Sequence, residues 1–227
     1  MDNNRREFIR KAMMGTAAVS IGGILPGFSA RSYASIMGAN SRINVAVMGV
    51  NSRGLALANN FAGQDYTNMT HICDVDSRAA AKCIQSVQKI TGKNPANTPD
   101  IRRALDDKSL DAIVVATPDH WHAPAALLAM KAGKHVYLEK PCSHSPQEGE
   151  ILVAAADKYK LALQMGNQRR SWPMVVKAIE ELKSGVIGRA YFGKGWYTNK
   201  RGPIGTGKVS AVPEWLDWEL WQGPAPR

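Results

Sequence analysis

The chain has 227 residues, 44% of them apolar, and carries 29 Lys and Arg against 19 Asp and Glu for a formal charge of +10. That length suits one complete domain and part of a second, and basic residues interspersed with acids such as Asp106, Asp107, Glu180 and Glu181 argue against nucleic acid as a partner. Cys73, Cys83 and Cys142 form an odd set with no C-x-x-C pair and no zinc spacing, so neither a disulfide framework nor a metal is expected.

Residues 1–34 read as a leader. Arg5-Arg6-Glu7-Phe8-Ile9-Arg10-Lys11 is followed by a weakly apolar run from Ala12 to Leu25, broken by glycines, and by small residues at Ser32-Tyr33-Ala34. Charge, apolar run and small-residue exit make a secretory signal, and paired arginines followed by Phe-Ile resemble a bacterial twin-arginine signal, whose machinery exports folded proteins. The apolar run is shorter than the ~20 residues of a membrane span. The expectation is a signal peptide cleaved after Ala34, a periplasmic or exported protein, and the twin-arginine machinery as a partner; an uncleaved tether is the alternative.

From Ile43 onward, strand-like runs alternate with helical ones. The pattern predicts strands at Ile43 to Met48, Met69 to Cys73, Ala112 to Ala116, His135 to Leu138 and Leu161 to Met165. Helices are predicted at Arg53 to Ala62, Arg78 to Ile90, Ile101 to Leu105, Ala123 to Ala132 and Pro146 to Tyr159, the last with a Ser145/Glu148 capping box. Lys93 to Asp100 holds only a short extended piece. The alternation specifies an α/β fold, a doubly wound parallel sheet of the Rossmann type, over residues 42–166. Beyond it come a helix (Pro173 to Lys183), a strand with aromatics (Arg189 to Tyr197) and a Gly/Pro/Trp-rich stretch, read as the incomplete start of an α+β substrate domain over 167–227.

Gly49-Val50-Asn51-Ser52-Arg53-Gly54 sits at the first strand-to-helix turn, where such folds seat a pyrophosphate on backbone N–H groups and a helix N-terminus. Asn51 stands where the middle glycine is usual, and Asn tolerates positive φ better than most residues. Asp74, twenty positions after Gly54, is placed to accept both ribose hydroxyls and to repel a 2′-phosphate, favouring NAD over NADP, with Arg78 nearby keeping the latter open. A P-loop is excluded at this turn because Leu55 stands where Lys is needed. Gly202 to Lys208 spells the loop but Val209 replaces its Ser/Thr.

Thr117-Pro118-Asp119-His120-Trp121-His122 follows the predicted strand Ala112 to Ala116, the clearest in the chain, and Glu139-Lys140-Pro141 follows the next strand. With the Gly49 turn and Asp74, these segments resemble the glucose-fructose oxidoreductase and inositol dehydrogenase family (Gfo/Idh/MocA) from Ile43 to Arg227. Gly166-Asn167-Gln168-Arg169-Arg170 and the ending Trp218-Glu219-Leu220-Trp221-Gln222-Gly223-Pro224 resemble exported, sugar-acting members. The resemblance implies a partly buried Lys140 projecting toward the nicotinamide and a substrate hydroxyl as proton acceptor or donor. It implies that Glu139 orients the cofactor side, that the peptide before Pro141 is cis, and that His122, Thr117 and Pro118 line the nicotinamide end, His122 with a catalytic role. Gln168 would touch the cofactor, and Arg169 and Tyr197 the substrate.

Together these readings imply an exported enzyme acting on a carbohydrate hydroxyl, which holds its NAD through redox-neutral cycles of oxidation and return, as in a glycosidase, epimerase or sugar-sugar oxidoreductase. A conventional cofactor-exchanging sugar or polyol dehydrogenase and a non-catalytic nucleotide-binding fragment are the alternatives, and a homo-oligomer is expected of a full-length chain.

Overall fold

The computed structural model describes residues 42–196 and 202–226. The leader with Arg5-Arg6, and Tyr197, lie outside the described residues. Six parallel strands form one sheet in the order β3-β2-β1-β4-β5-β6. They are β1 (Ile43–Met48), β2 (Thr67–Cys73), β3 (Ala96–Thr98), β4 (Ala112–Val115), β5 (His135–Leu138) and β6 (Leu163–Met165). The helices are α1 (Arg53–Ala62), α2 (Ser77–Thr91), α3 (Ile101–Leu105), α4 (His122–Lys131), α5 (Pro146–Tyr159), α6 (Pro173–Lys183) and α7 (Trp218–Gln222).

Strand alternation divides the core into two layers. Val45 and Val47 of β1 point with Val114 of β4 toward Leu57, Ala58, Ala80 and Val87 of α1 and α2. Ala46 and Met48 point the other way, with Ile113 and Val115, toward Ala126, Ala129 and Met130 of α4 and Leu152 of α5. Ala123, Ala125, Ala126 and Ala129 are all essentially inaccessible, so small side chains let α4 lie close to the sheet. Such two-sided burial is what continuous apolar strands require.

Helix boundaries follow local chemistry. Asp76 caps α2 by accepting from the N–H groups of Arg78 and Ala79, and Gly92 ends it at φ 71°. Ser145 accepts from the N–H of Glu148 at 3.3 Å, while the Glu148 carboxylate accepts from His144 N at 2.6 Å, one residue earlier than a capping box places it. The expected strand from Arg189 to Tyr197 is not formed over its described residues, which have no regular secondary structure and are exposed, Tyr191 by 91%. A strand is stabilised by hydrogen-bonded neighbours, and this segment pairs with none among the described residues.

The final segment folds back on the sheet. Ser77 N donates to Trp215 O and Asp217 N to Val75 O, each at 3.0 Å, and Leu216 forms an antiparallel bridge with Asp76. Residues placed by sequence in a second domain thus pack on the carboxyl edge of the first.

Candidate functional site

Strand order advances away from β1 in both directions, so a crevice opens between the carboxyl ends of β1 and β4, where ligands lie in open α/β sheets. A cavity of 590 Å³ occupies it, bordered by Gly49, Asn51, Ser52, Arg53, Asp74, Thr117 and Pro118. That volume lies within the ~300–1,000 Å³ common to small-molecule sites.

The β1–α1 turn is shaped by two glycines. Gly49 takes φ 80°, and a Cβ on it would lie 2.8 Å from the backbone of Ala116 and Thr117. On Gly54 a Cβ would lie 1.7 Å from the carbonyl oxygen of Gly49, so α1 starts directly against the turn. Lys160 is the non-glycine residue at positive φ among the described residues; the tolerance anticipated for Asn51 is therefore not used. Ser52 precedes α1 without a side-chain cap, which leaves the helix N-terminus to whatever enters the crevice.

Asp74, just after β2, is held by two backbone donors. Val50 N donates to its Oδ2 at 2.6 Å and Asp76 N to its Oδ1 at 2.8 Å. Partial burial pushes its pKa above the usual 3.8, with the two N–H donors acting against that shift. Arg78 is drawn elsewhere: it pairs with Asp76 at 2.9 Å and lies over the Trp215 ring at 3.3 Å.

At the next strand ends, Glu139 is 3% exposed and accepts from Arg53 Nε at 2.8 Å. The Glu139 hydrogen bond is the main cause raising the Arg53 pKa. Gly166 gives this carboxylate room, because a Cβ there would come within 2.9 Å of Glu139 Oε1 and 2.8 Å of the Tyr137 hydroxyl. The Lys140–Pro141 peptide is cis, and Lys140 itself is exposed rather than partly buried.

His122 differs from expectation. It is 1% exposed at the start of α4, with Nε2 2.9 Å from Thr117 O and Nδ1 hydrogen-bonded to Pro141 O. Both ring nitrogens face backbone carbonyls, and the ring does not border the crevice. Its geometry suits tying the Thr117 and Pro141 turns together rather than direct proton transfer. Thr117 Oγ1, by contrast, is buried with no hydrogen-bond partner among the described residues. Gln168 and Arg169 lie in an exposed 3-10 turn away from the cavity, and Arg169 rests over Trp172 at 5.3 Å.

Several bordering residues were not singled out from sequence as site residues, among them Trp121, Trp215, Trp218 and Trp221. Trp121, Trp218 and Trp221 stand inside segments that carry the family resemblance without a role of their own, and Trp215 only in the Gly/Pro/Trp-rich stretch near the end of the chain. Among the described residues no group of three or more His, Cys, Asp or Glu could hold a metal ion.

Glycine turn, uncapped helix, fixed acid after β2 and a crevice at the β1/β4 switch define a dinucleotide-binding domain. Residues 43–167 match the oxidoreductase family with an NAD-binding Rossmann fold (Gfo/Idh/MocA), and the chain belongs to that family. It is 26% identical over 227 aligned positions to a glycosyl hydrolase family 109 protein of Saccharopolyspora erythraea, covering 93% of this chain and 49% of that one. A family 109 protein of Shewanella sp. is 25% identical, covering 87% and 46%. The chain spans about half the length of the curated relatives it matches. Among solved structures, GenD2 from gentamicin A biosynthesis, in complex with NAD, is 27% identical with a TM-score of 0.57, covering 70% of this chain and 41% of that one. Myo-inositol 2-dehydrogenase from Lactobacillus plantarum, 21% identical with a TM-score of 0.58, shares the fold over 65% of this chain and 43% of that one.

Proposed function

We propose that the chain is the cofactor-binding part of an exported enzyme that acts on a carbohydrate hydroxyl and keeps its NAD through redox-neutral cycles, in the manner of a glycosidase, epimerase or sugar-sugar oxidoreductase. The observation that carries this reading is that the Gly49 turn, Asp74 and Thr117 border one crevice at the carboxyl ends of β1, β2 and β4, with the Glu139-Lys140 pair at the carboxyl end of the neighbouring β5, outside the cavity lining. The family 109 glycosyl hydrolase relatives support a carbohydrate substrate, and the Arg5-Arg6 leader supports export.

The residues present fit the cofactor. Gly49 and Gly54 let the turn pack directly against Ala116, Thr117 and the start of α1, which brings the N–H groups of the turn to the crevice, and among the described residues the buried Thr117 hydroxyl has no hydrogen-bond partner. The N–H groups of residues 51–54 would hold the pyrophosphate, Asp74 the ribose hydroxyls, and Thr117 a polar group farther along. Bound there, NAD supplies a reversible acceptor for the hydrogen on a sugar carbinol carbon. Lys140 Nζ takes the hydroxyl proton as the carbonyl forms and returns it in the reverse step. Glu139, locked by Arg53, and His122, bridging two turn carbonyls, fix the backbone from which Lys140 projects. Both act as positioning residues.

A ketone at that carbon would acidify the neighbouring C–H, so that elimination, addition of water or inversion could take place within a cycle of no net redox change. Such cycles consume no external NAD. Retention demands slow release: at ~10⁶ M⁻¹s⁻¹ association, nanomolar affinity corresponds to release in about a thousand seconds.

The test is spectroscopic. Protein purified without added cofactor is expected to release nicotinamide dinucleotide on acid denaturation, and Lys140→Ala is expected to keep that content while losing sugar turnover. Steady NADH accumulation with a single sugar would instead identify a cofactor-exchanging dehydrogenase.

A further inference from the structure

The segment Trp215 to Gly223 crosses the mouth of the crevice and is pinned on both banks. On the β2 side, Trp215 O accepts from Ser77 N, Asp217 N donates to Val75 O, and Leu216 bridges Asp76. Arg78, held by Asp76, lies against the Trp215 ring at 3.3 Å. On the β4 side, Trp121 Nε1 donates to Leu220 O at 2.8 Å, and His120 Nε2 donates to Trp221 O at 2.9 Å. Gly223 closes that end, since a Cβ there would lie 2.3 Å from the Trp121 ring. Between the anchors Trp218 and Trp221 stack at 4.9 Å and 15°. Trp215, Trp218 and Trp221 all border the same cavity as the glycine turn and Asp74.

We infer that this segment is a strap that forms the outer wall of the cofactor site and holds the adenosine half of the dinucleotide in place, with Trp215 as its contact beside Asp74. The placement is chemical. Asp74 marks the ribose position, Trp215 flanks the same strand end, and an indole ring offers an adenine base a stacking surface. An open α/β sheet leaves its ligand exposed at the strand ends; here release requires the strap to detach from one bank. Two tryptophans and a histidine at the β4 anchor make that detachment costly, so the wall acts on the rate of exit more than on entry. This inference rests on the dinucleotide reading above and adds what retains the ligand.

The experiment is stopped-flow displacement of NADH by excess NAD from the full chain, followed by loss of bound-NADH fluorescence, with circular dichroism to verify folding. Trp215→Ala is expected to speed release about tenfold through loss of base stacking. Trp121→Phe, which keeps a ring but loses the donor to Leu220 O, is expected to speed it about threefold. Association rates should stay within about twofold of wild type. Unchanged release in both variants overturns the strap while leaving the dinucleotide site intact; a wild-type chain that takes up no NADH overturns the site and the strap together.

Discussion

Replacing Gly54 with Ala puts one methyl group where the site has no space. The new Cβ would sit 1.7 Å from Gly49 O and 2.8 Å from Gly49 C, both backbone atoms of the turn. Cβ contacts essentially never fall below 3.0 Å, so the gap must open by about 1.3 Å, and no rotamer change can supply it. Either α1 lifts from the sheet or the turn flattens. Both outcomes withdraw N–H groups from the anion position, and loss of one or two charge-assisted hydrogen bonds at roughly 1.5–3 kcal/mol each weakens NAD by at least about tenfold. Overpacking adds about 1–3 kcal/mol of destabilisation. Gly133→Ala is the matched control: φ is 76° there but nothing lies within 4 Å, so the cost is about 1–2 kcal/mol of backbone strain with no change in NAD affinity. Isothermal titration with NAD and urea unfolding measure both terms. Wild-type affinity in Gly54→Ala, with stability lowered by less than in Gly133→Ala, would refute the reasoning.

Three further outcomes follow from other parts of the fold. Lys134 is 5% exposed and its Nζ donates to Asp107 O at 2.8 Å and Leu110 O at 2.7 Å, so Lys134→Met should lose about 2–3 kcal/mol in urea unfolding; no loss would mean the ammonium does not hold the α3–β4 loop. Native protein should react with a thiol reagent at pH 8 at Cys142 only, with all three cysteines reacting after unfolding, because Cys73 and Cys83 are buried and burial pushes the Cys83 thiol up to about 11. The hydrogen bonds from Arg78, Arg102 and Ser109 hold Asp76, Asp100 and Asp107 below the usual 3.8, so their contribution to stability is present above that value and is lost as pH falls through their lowered pKa values. Asp74, raised by burial, works in the opposite sense, its contribution present below 3.8 and lost as pH rises. Asp100→Asn should therefore flatten the acid-side decline of the urea midpoint and Asp74→Asn should steepen it; parallel slopes would contradict the assignment.

Which features could be read from sequence depends on the range of the interactions that set them. Ile43 to Met48, Arg53 to Ala62, Ile101 to Leu105 and Pro146 to Tyr159 appear with the boundaries that apolar period, caps and Pro146 specify, since local chemistry decides those ends. The glycine turn and Asp74 are likewise legible, being fixed by their position after strands. His122 shows where that reasoning stops: a histidine after a strand end can face ligand or backbone, and its position as the first residue of α4 turns the ring toward two carbonyls. The aromatic alternation from Arg189 states which residues could pair but not with what. The strap depends on contacts between residues about a hundred or more positions apart, such as Trp121 with Leu220 and Ser77 with Trp215, and no local pattern encodes them.

The most direct measurement is a crystal structure of this chain grown with NAD. The pyrophosphate is expected within hydrogen-bond distance of the N–H groups of residues 51–54, with a ribose on Asp74 and the adenine beside Trp215. A dinucleotide seated anywhere else on the molecule, or a crevice that takes none at saturating concentration, would contradict the account.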